Sequence, residues 1–123
     1  MKSRLYALLV LTTTMGLAAC SEDPAAAGSG KPLSIEANRS LTSAAVGAKF
    51  SLTAFAIDEN AQRMEGALQA STTGSNIAID SVIYVRELLE TRIYVNPKTT
   101  TATGQTITVT GHSLTKDIVV KVN

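Results

Sequence analysis

Few side chains in this 123-residue chain have the chemistry of an active site. The only cysteine, Cys20, closes an apolar N-terminal stretch, and the only histidine, His112, lies among turn-forming residues. A thiol can be acylated, whereas a histidine acts as acid or base only when a nucleophile or carboxylate is held beside it. The sequence contains no Gly-x-Ser-x-Gly elbow, His-Glu-x-x-His pair, phosphate loop or dinucleotide fingerprint. We therefore predict no catalytic residues, no enzyme activity and no cofactor, and we interpret His112 as an exposed turn residue.

The run Asp58-Glu59-Asn60 places several oxygen atoms in one short stretch, with Glu65 and Asp80 as further donors. Ca²⁺ prefers oxygen ligands, but the spacing does not match an EF-hand loop. Asp and Asn are also favoured in turns, because their side chains hydrogen-bond to nearby backbone. We interpret the run as a turn and assign no metal ligand, with a Ca²⁺ site as the alternative.

The first residues have the pattern of an export signal. Lys2 and Arg4 precede an apolar stretch that runs from Leu5 to Leu17. This pattern predicts a signal peptide over residues 1–19. A membrane-spanning helix is the competing interpretation, but about 15 residues at 1.5 Å rise reach only about 22 Å, short of the roughly 30 Å hydrocarbon core.

The end of this stretch, Leu17-Ala18-Ala19-Cys20, resembles the lipobox of bacterial lipoproteins. The resemblance implies cleavage between Ala19 and Cys20, and attachment of a diacylglycerol to the Cys20 sulfur. It also implies that two or three acyl chains hold the protein on the bilayer, and two or more chains are enough for stable anchoring. A type I signal peptide with an incidental cysteine is the alternative. Because Ser21, and not aspartate, follows the cysteine, the resemblance favours the outer membrane in a Gram-negative host.

The residues after Cys20 predict a flexible tether over 20–32, since they are small, polar and rich in Gly, Pro and Ala. Removal of residues 1–19 leaves 104 residues with nine basic and ten acidic side chains. A net charge of −1 predicts no binding of nucleic acid. Intrachain disulfides are excluded by the single cysteine, so packing alone must stabilise the fold.

Alternating apolar and polar residues predict an all-β domain over residues 33–123. Phe50 and Leu52 fall on one face of the longest candidate strand, and Phe55 and Ile57 on the other, which predicts a bulge or burial of both faces in turn. The candidate strands cover residues 33–37, 49–58, 64–71, 77–79, 82–85, 91–95, 106–110 and 118–122. Residues 64–71 are predicted to return beside 49–58 in a hairpin, and 106–122 to form the closing hairpin.

About seven or eight short strands predict a small β-sandwich, with a small barrel as the alternative. The segments Gly104–Gly111 and Asp117–Val122 resemble the closing hairpin of bacterial immunoglobulin-like domains, the repeats of invasin and intimin-type surface proteins. Leu52–Gly66 resembles their early strand, turn and return strand. The resemblance implies an immunoglobulin-like fold, and it implies no active site because these domains share none. The sequence lacks the Cys, Trp, Cys core pattern of antibody domains.

Helix-forming residues interrupt the β pattern at Arg86–Glu90. Leu88 and Leu89 either cover the end of the core or lie exposed and contact a partner; we carry both as candidate partner contacts. Pro97, at the start of a Thr-rich connection, is predicted to protect an edge strand.

These features predict a lipid-anchored bacterial protein that presents a non-catalytic immunoglobulin-like module for interaction or structural support. Its partners are the bilayer, through acylated Cys20, and a protein of the cell envelope, within an envelope, secretion or adhesion assembly. The alternative is a periplasmic or surface ligand-binding protein or inhibitor that uses the loops at one end of the sandwich; a deep, partly apolar pocket would support it.

Overall fold

A computed structural model describes residues 27–123 as a β-sandwich of two four-stranded sheets. The strands are β1 (Pro32–Ala37), β2 (Leu41–Ala44), β3 (Phe50–Asp58), β4 (Gln69–Thr72), β5 (Ile77–Val85), β6 (Glu90–Pro97), β7 (Gln105–Gly111) and β8 (Leu114–Val122), with one 3-10 turn at Arg86–Leu88. The predicted all-β sandwich of about seven or eight strands is thus confirmed. The predicted signal peptide, the cleavage site at Ala19 and Cys20, and the start of the tether lie outside the described residues.

The strand order is that of an immunoglobulin-like domain. One sheet has the order β1-β3-β6-β5 and the other β2-β8-β7-β4. β2 pairs in parallel with β8, and the other pairs are antiparallel. The chain therefore begins in one sheet as β1 and continues in the other as β2, and the remaining strands follow the B-E-D and G-F-C arrangement of immunoglobulin sandwiches.

The core consists of aliphatic side chains from the two inner faces. Leu52, Ile93, Ile107 and Ile118 are completely buried. β3 and β7 hold the positions of the two strands that a disulfide joins in antibody domains. Here Leu52 of β3 and Ile107 of β7 belong to the same apolar cluster, so packing takes the place of that covalent link.

β3 is regular, and the predicted phase slip within it is wrong. Its register with β6 runs without interruption from Phe50 to Ala54, and Ala54 and Ala56 continue the inner face that begins at Leu52. Phe55 and Ile57 lie half-buried on the outer face. The prediction took the larger apolar side chains to face the core, but the inner positions carry small alanines while the outer ones carry larger apolar groups.

The predicted return strand at residues 64–71 is also wrong in its partner. The chain here pairs with β3 only briefly, where Arg63 lies opposite Ile57 and the Met64 amide donates to the Ala56 carbonyl at 2.8 Å, after which it crosses to the second sheet. There β4 pairs with β7. The two predicted strands at 77–79 and 82–85 are one strand, β5, whose register shifts between Ile79 and Ser81.

Pro97 does not protect an edge. It is buried at the last position of β6, a central strand, where it pairs with Ile77. A proline lacks a backbone donor but keeps its carbonyl, and the Pro97 carbonyl accepts a hydrogen bond from the Gly47 amide at 2.8 Å. The final position of a strand therefore tolerates it.

We expect Leu52→Ala to lower the free energy of unfolding by about 2–5 kcal/mol, because the change empties space in a core with no disulfide to support it. Leu41→Ala is the matched control, since Leu41 lies in β2 with 61% of its surface exposed and should change stability by no more than about 0.5 kcal/mol. Urea unfolding followed by circular dichroism measures both. Equal losses in the two variants would contradict the assignment of the core.

Candidate functional site

The last part of the predicted tether lies against the end of the sandwich where β3 terminates. The Gly28 amide donates a hydrogen bond to the Arg63 carbonyl at 2.8 Å, and Gly28 bridges Met64 in parallel. A Cβ atom at Gly28 would clash with the Asp58 carboxylate, so this close approach requires glycine. We call this end of the sandwich the tether end, defined by Gly28, the 58–64 turn and the 3-10 turn.

Asp58 organises the tether end. Its carboxylate is completely buried and accepts hydrogen bonds from the amides of Gly30 at 3.1 Å, Asn60 at 2.9 Å and Gln62 at 3.0 Å. The hydrogen bond from Gln62 is the largest cause of a lowered pKa for Asp58, and those from Gly30 and Asn60 add to it, while burial acts in the opposite direction. The same side chain therefore closes the turn and fixes the incoming chain.

These contacts bear on the alternative of a Ca²⁺ site at residues 58–60. Both Asp58 oxygens accept backbone amides, which is how an aspartate acts in an Asx turn. Within residues 27–123, no group of three or more His, Cys, Asp or Glu side chains is placed to hold a metal ion. The geometry of this segment is that of the predicted turn.

Leu88 and Leu89 have different environments, although the sequence pairs them as candidate partner contacts. Leu88 is 49% exposed, whereas Leu89 is 5% exposed and adopts a left-handed conformation with φ of 51°. The Leu89 amide closes the 3-10 turn by donating to the Arg86 carbonyl at 3.1 Å. Leu89 is therefore buried, and of the two only Leu88 is available as a contact.

Arg63 joins the incoming chain to the 3-10 turn. Its guanidinium donates to the Leu88 carbonyl at 2.9 Å and lies 3.9 Å from the centroid of the Phe55 ring. It also approaches Glu90 at 3.5 Å, and Glu90 pairs in turn with Arg92 at 3.1 Å. The hydrogen bond that the Arg92 guanidinium donates to Glu90 is the largest cause of a raised pKa for Arg92. The outer face beside the tether end is thus held by a small network of alternating charges.

Two polar side chains fasten the crossover between the sheets, and the sequence interpretation did not single them out. Thr91 Oγ1, buried on the inner face of β6, accepts the Leu68 amide at 3.0 Å. The Tyr84 hydroxyl accepts the Gly66 amide at 3.0 Å. Thr91 shares the phase of Ile93 and Val95, so the alternation in β6 was a signal that it faces inward.

His112 lies in the turn between β7 and β8, as predicted, but it is half-buried and not exposed. Both turn residues have positive φ, 52° at His112 and 62° at Ser113, as in the two-residue turns that suit the twist of a hairpin. The His112 ring lies next to Gly66 of the crossover. Its position is explained by the hairpin.

The opposite end of the sandwich, which we call the distal end, carries the Thr-rich connection between β6 and β7. Asn76 fastens this connection by donating from its side chain to Thr99 Oγ1 and the Thr100 carbonyl, each at 2.9 Å. Buried Gln105 accepts the Asn76 amide at 3.0 Å and donates to Thr72 Oγ1 at 2.7 Å. The distal loops are therefore tied to the sandwich by side chains.

An open surface depression of about 320 Å³ lies beside the β3, β5 and β6 strands. It is lined by Lys49, Phe50, Ser51, Asp80, Tyr94 and Val95. Lys49 and Asp80 form an ion pair of 3.6 Å at its edge. The ligand-binding alternative calls for a deep, partly apolar pocket, whereas this depression is open to solvent.

No protein-family model and no curated protein sequence matches the chain. Similar folds occur in solved S-layer protein structures. Domains 5-6 of the S-layer protein SbsC superpose with a TM-score of 0.61 at 15% identity, over 75% of this chain and 44% of that one. Domains 4 and 5 give 0.60 at 16% identity, over 74% and 51%, and rSbsC(31-844) gives 0.60 at 15%, over 75% and 13%. This chain thus spans about half or less of each of these structures, and at such identity the likeness shows the fold alone.

We expect Asp58→Asn to lower the melting temperature at neutral pH and to flatten its dependence on acid. Because the folded pKa of Asp58 lies below the ordinary 3.8, the ionised carboxylate stabilises the fold fully above that value, and this stabilisation is lost as the pH falls through the folded pKa. The asparagine cannot titrate, and its amide group would face backbone donors. Melting curves from about pH 6 to pH 2 measure the effect.

Glu59→Gln is the control, since Glu59 is exposed and the one hydrogen bond of its side chain within residues 27–123 is the long contact from the Lys31 amide at 3.4 Å. It should leave both the neutral melting temperature and the acid slope close to those of the parent chain. Parallel acid profiles for the parent and Asp58→Asn would contradict the role given to Asp58.

Proposed function

We propose that this chain is an exported bacterial lipoprotein that presents one immunoglobulin-like sandwich as a non-catalytic structural or interaction module of the cell envelope. The observation that carries the proposal is Leu17-Ala18-Ala19-Cys20, at the end of a signal-like stretch, with the first strand of a folded sandwich beginning twelve positions later at Pro32. The Cys20 sulfur carries a diacylglycerol, and residues 1–19 are removed. Among residues 27–123 no helix is long and apolar enough to cross a bilayer.

The absence of an enzyme activity is part of the proposal and is supported by how buried polar groups are used. Asp58, Thr91 and Gln105 are buried and each accepts hydrogen bonds from backbone amides. Within the described residues, every buried side-chain nitrogen or oxygen atom has a hydrogen-bond partner. Polar groups occupied in this way hold loops in place and are not poised to react with a substrate.

The structural likeness to S-layer protein domains supports an extracytoplasmic, structural role. The S-layer protein is by its name a component of a surface layer, and its domains use the same type of fold. A non-catalytic module of the envelope is consistent with that context. A protein partner in the envelope completes the proposal, alongside the lipid bilayer.

Cys20→Ala should abolish both lipid attachment and membrane association. Mass spectrometry of the N-terminal peptide from membrane-extracted protein should find diacylglycerol on Cys20 in the parent chain and an uncleaved or unlipidated N-terminus in the variant. Ser21→Ala, which keeps a small neighbour beside the cysteine, is the control and should retain the lipid. An unmodified Cys20 in the parent chain would refute the lipoprotein assignment.

In a Gram-negative host, we expect the parent chain in the outer-membrane fraction of a density gradient. Ser21→Asp should move it to the inner membrane, because the lipobox resemblance links aspartate at this position to retention there. Ser21→Ala serves again as the control and should stay with the outer membrane. Identical fractionation of the parent chain and Ser21→Asp would contradict this localisation.

A further inference from the structure

The tether end places the exposed Leu88 close to the point where the chain enters the domain. The Gly28 amide is hydrogen-bonded to the Arg63 carbonyl at 2.8 Å, and the Arg63 guanidinium to the Leu88 carbonyl at 2.9 Å. Arg63 therefore links Leu88 to Gly28, which is among the first described residues. Leu88 is 49% exposed at the end of the 3-10 turn.

The distance along the chain from Cys20 to this end is short. Ala27 is seven positions after Cys20, and seven residues span at most about 25 Å even when fully extended. The nine-residue strands β3, β5 and β8 make the sandwich about 30 Å long. An anchor at Cys20 therefore keeps the tether end within about 25 Å of the bilayer surface, less than the length of the sandwich.

On the basis of the lipoprotein assignment above, we propose that the tether end docks on the phospholipid surface, with Leu88 at the boundary between headgroups and acyl chains. Apolar side chains at an interface favour this depth. One leucine is too small to hold a free protein on a membrane. The anchor raises its effective concentration at the surface, so the leucine has only to orient a domain that is already bound.

The charges at the tether end favour a zwitterionic surface over an anionic one. Lys31 and Arg86 are the exposed cations next to the turn segments, and Glu59, Glu65 and Glu87 are exposed anions. Arg86 pairs with Glu65 at 3.1 Å, and the Lys31 amide contacts Glu59. With two cations against three anions, this end has no positive excess that would attract anionic lipid, so the contact depends on the apolar side chain and should change little with salt.

Site-specific fluorescence on the acylated full-length protein tests the proposal. In that protein the Cys20 sulfur is consumed by the lipid, so Leu88→Cys supplies the single free thiol for an environment-sensitive probe such as NBD. Val46→Cys is the matched control, because Val46 is 50% exposed and its amide contacts the Asn123 carbonyl at the distal end. Both proteins are reconstituted into phosphatidylcholine vesicles, and circular dichroism checks that each is folded.

We expect the probe at position 88 to emit at shorter wavelength and to be quenched several-fold more by a lipid-borne nitroxide than the probe at position 46. Aqueous iodide should show the reverse order. Equal quenching at the two positions in protein that floats with the vesicles would overturn the docking proposal and leave the anchor intact, and Leu88 would then be a contact for an envelope protein and not for lipid. Protein that fails to float would overturn both this proposal and the lipoprotein assignment.

Discussion

The fold depends on two sheets burying one face each against the other with aliphatic side chains alone. The chain has no tryptophan and a single cysteine, and that cysteine precedes the described residues in the sequence. Leu52 and Ile93 of one sheet pack in the same cluster as Ile107 and Ile118 of the other. Since close-packed interiors lose several kcal/mol when a large side chain is removed, shape fit between these residues does the work that a disulfide does in antibody domains.

A core of this kind leaves the ends and edges of the sheets to polar groups. At the tether end, Asp58 accepts hydrogen bonds from three backbone amides that lie outside the strands. At the distal end, Gln105 does the same for the β4–β5 connection. The edge strands are short or irregular: β2 and β4 have four residues each, β1 shifts register after Pro32, and β5 shifts register around Asp80. Such irregularities discourage pairing with other chains.

The fold could be predicted where strand pairing is determined by residues that are close in sequence. β7 and β8 alternate cleanly and are joined by a two-residue turn, so their pairing follows from local pattern. The failures arise where contacts are distant in sequence. Residues 64–71 look like a return strand, but Gly66 and Leu68 are held by Tyr84 and Thr91, more than fifteen positions away, and the chain is led to the other sheet.

The same limit explains the partial success at the candidate site. Composition identifies residues 58–60 as a turn, but only the fold shows that Asp58 also binds Gly30, 28 positions earlier. The sequence alone gives no reason to assign Leu88 and Leu89 different environments. The left-handed backbone at Leu89 turns one side chain inward while its neighbour stays in solvent, and backbone conformation of that kind depends on the 3-10 turn that precedes it. The lipobox interpretation of Cys20 remains a prediction from sequence.

The position of Gly28 connects the proposed anchor to the orientation of the domain. If a single residue joined the tether to the rim of the sandwich, the sandwich could rotate freely about that residue. Here the chain is held at Gly28 by Arg63 and at Gly30 by Asp58 before β1 begins at Pro32. These two successive attachments make the entry direction a fixed property of the domain. The distal loops, tied in place by Asn76 and Gln105, then project away from the anchor at about the length of a nine-residue strand, roughly 30 Å.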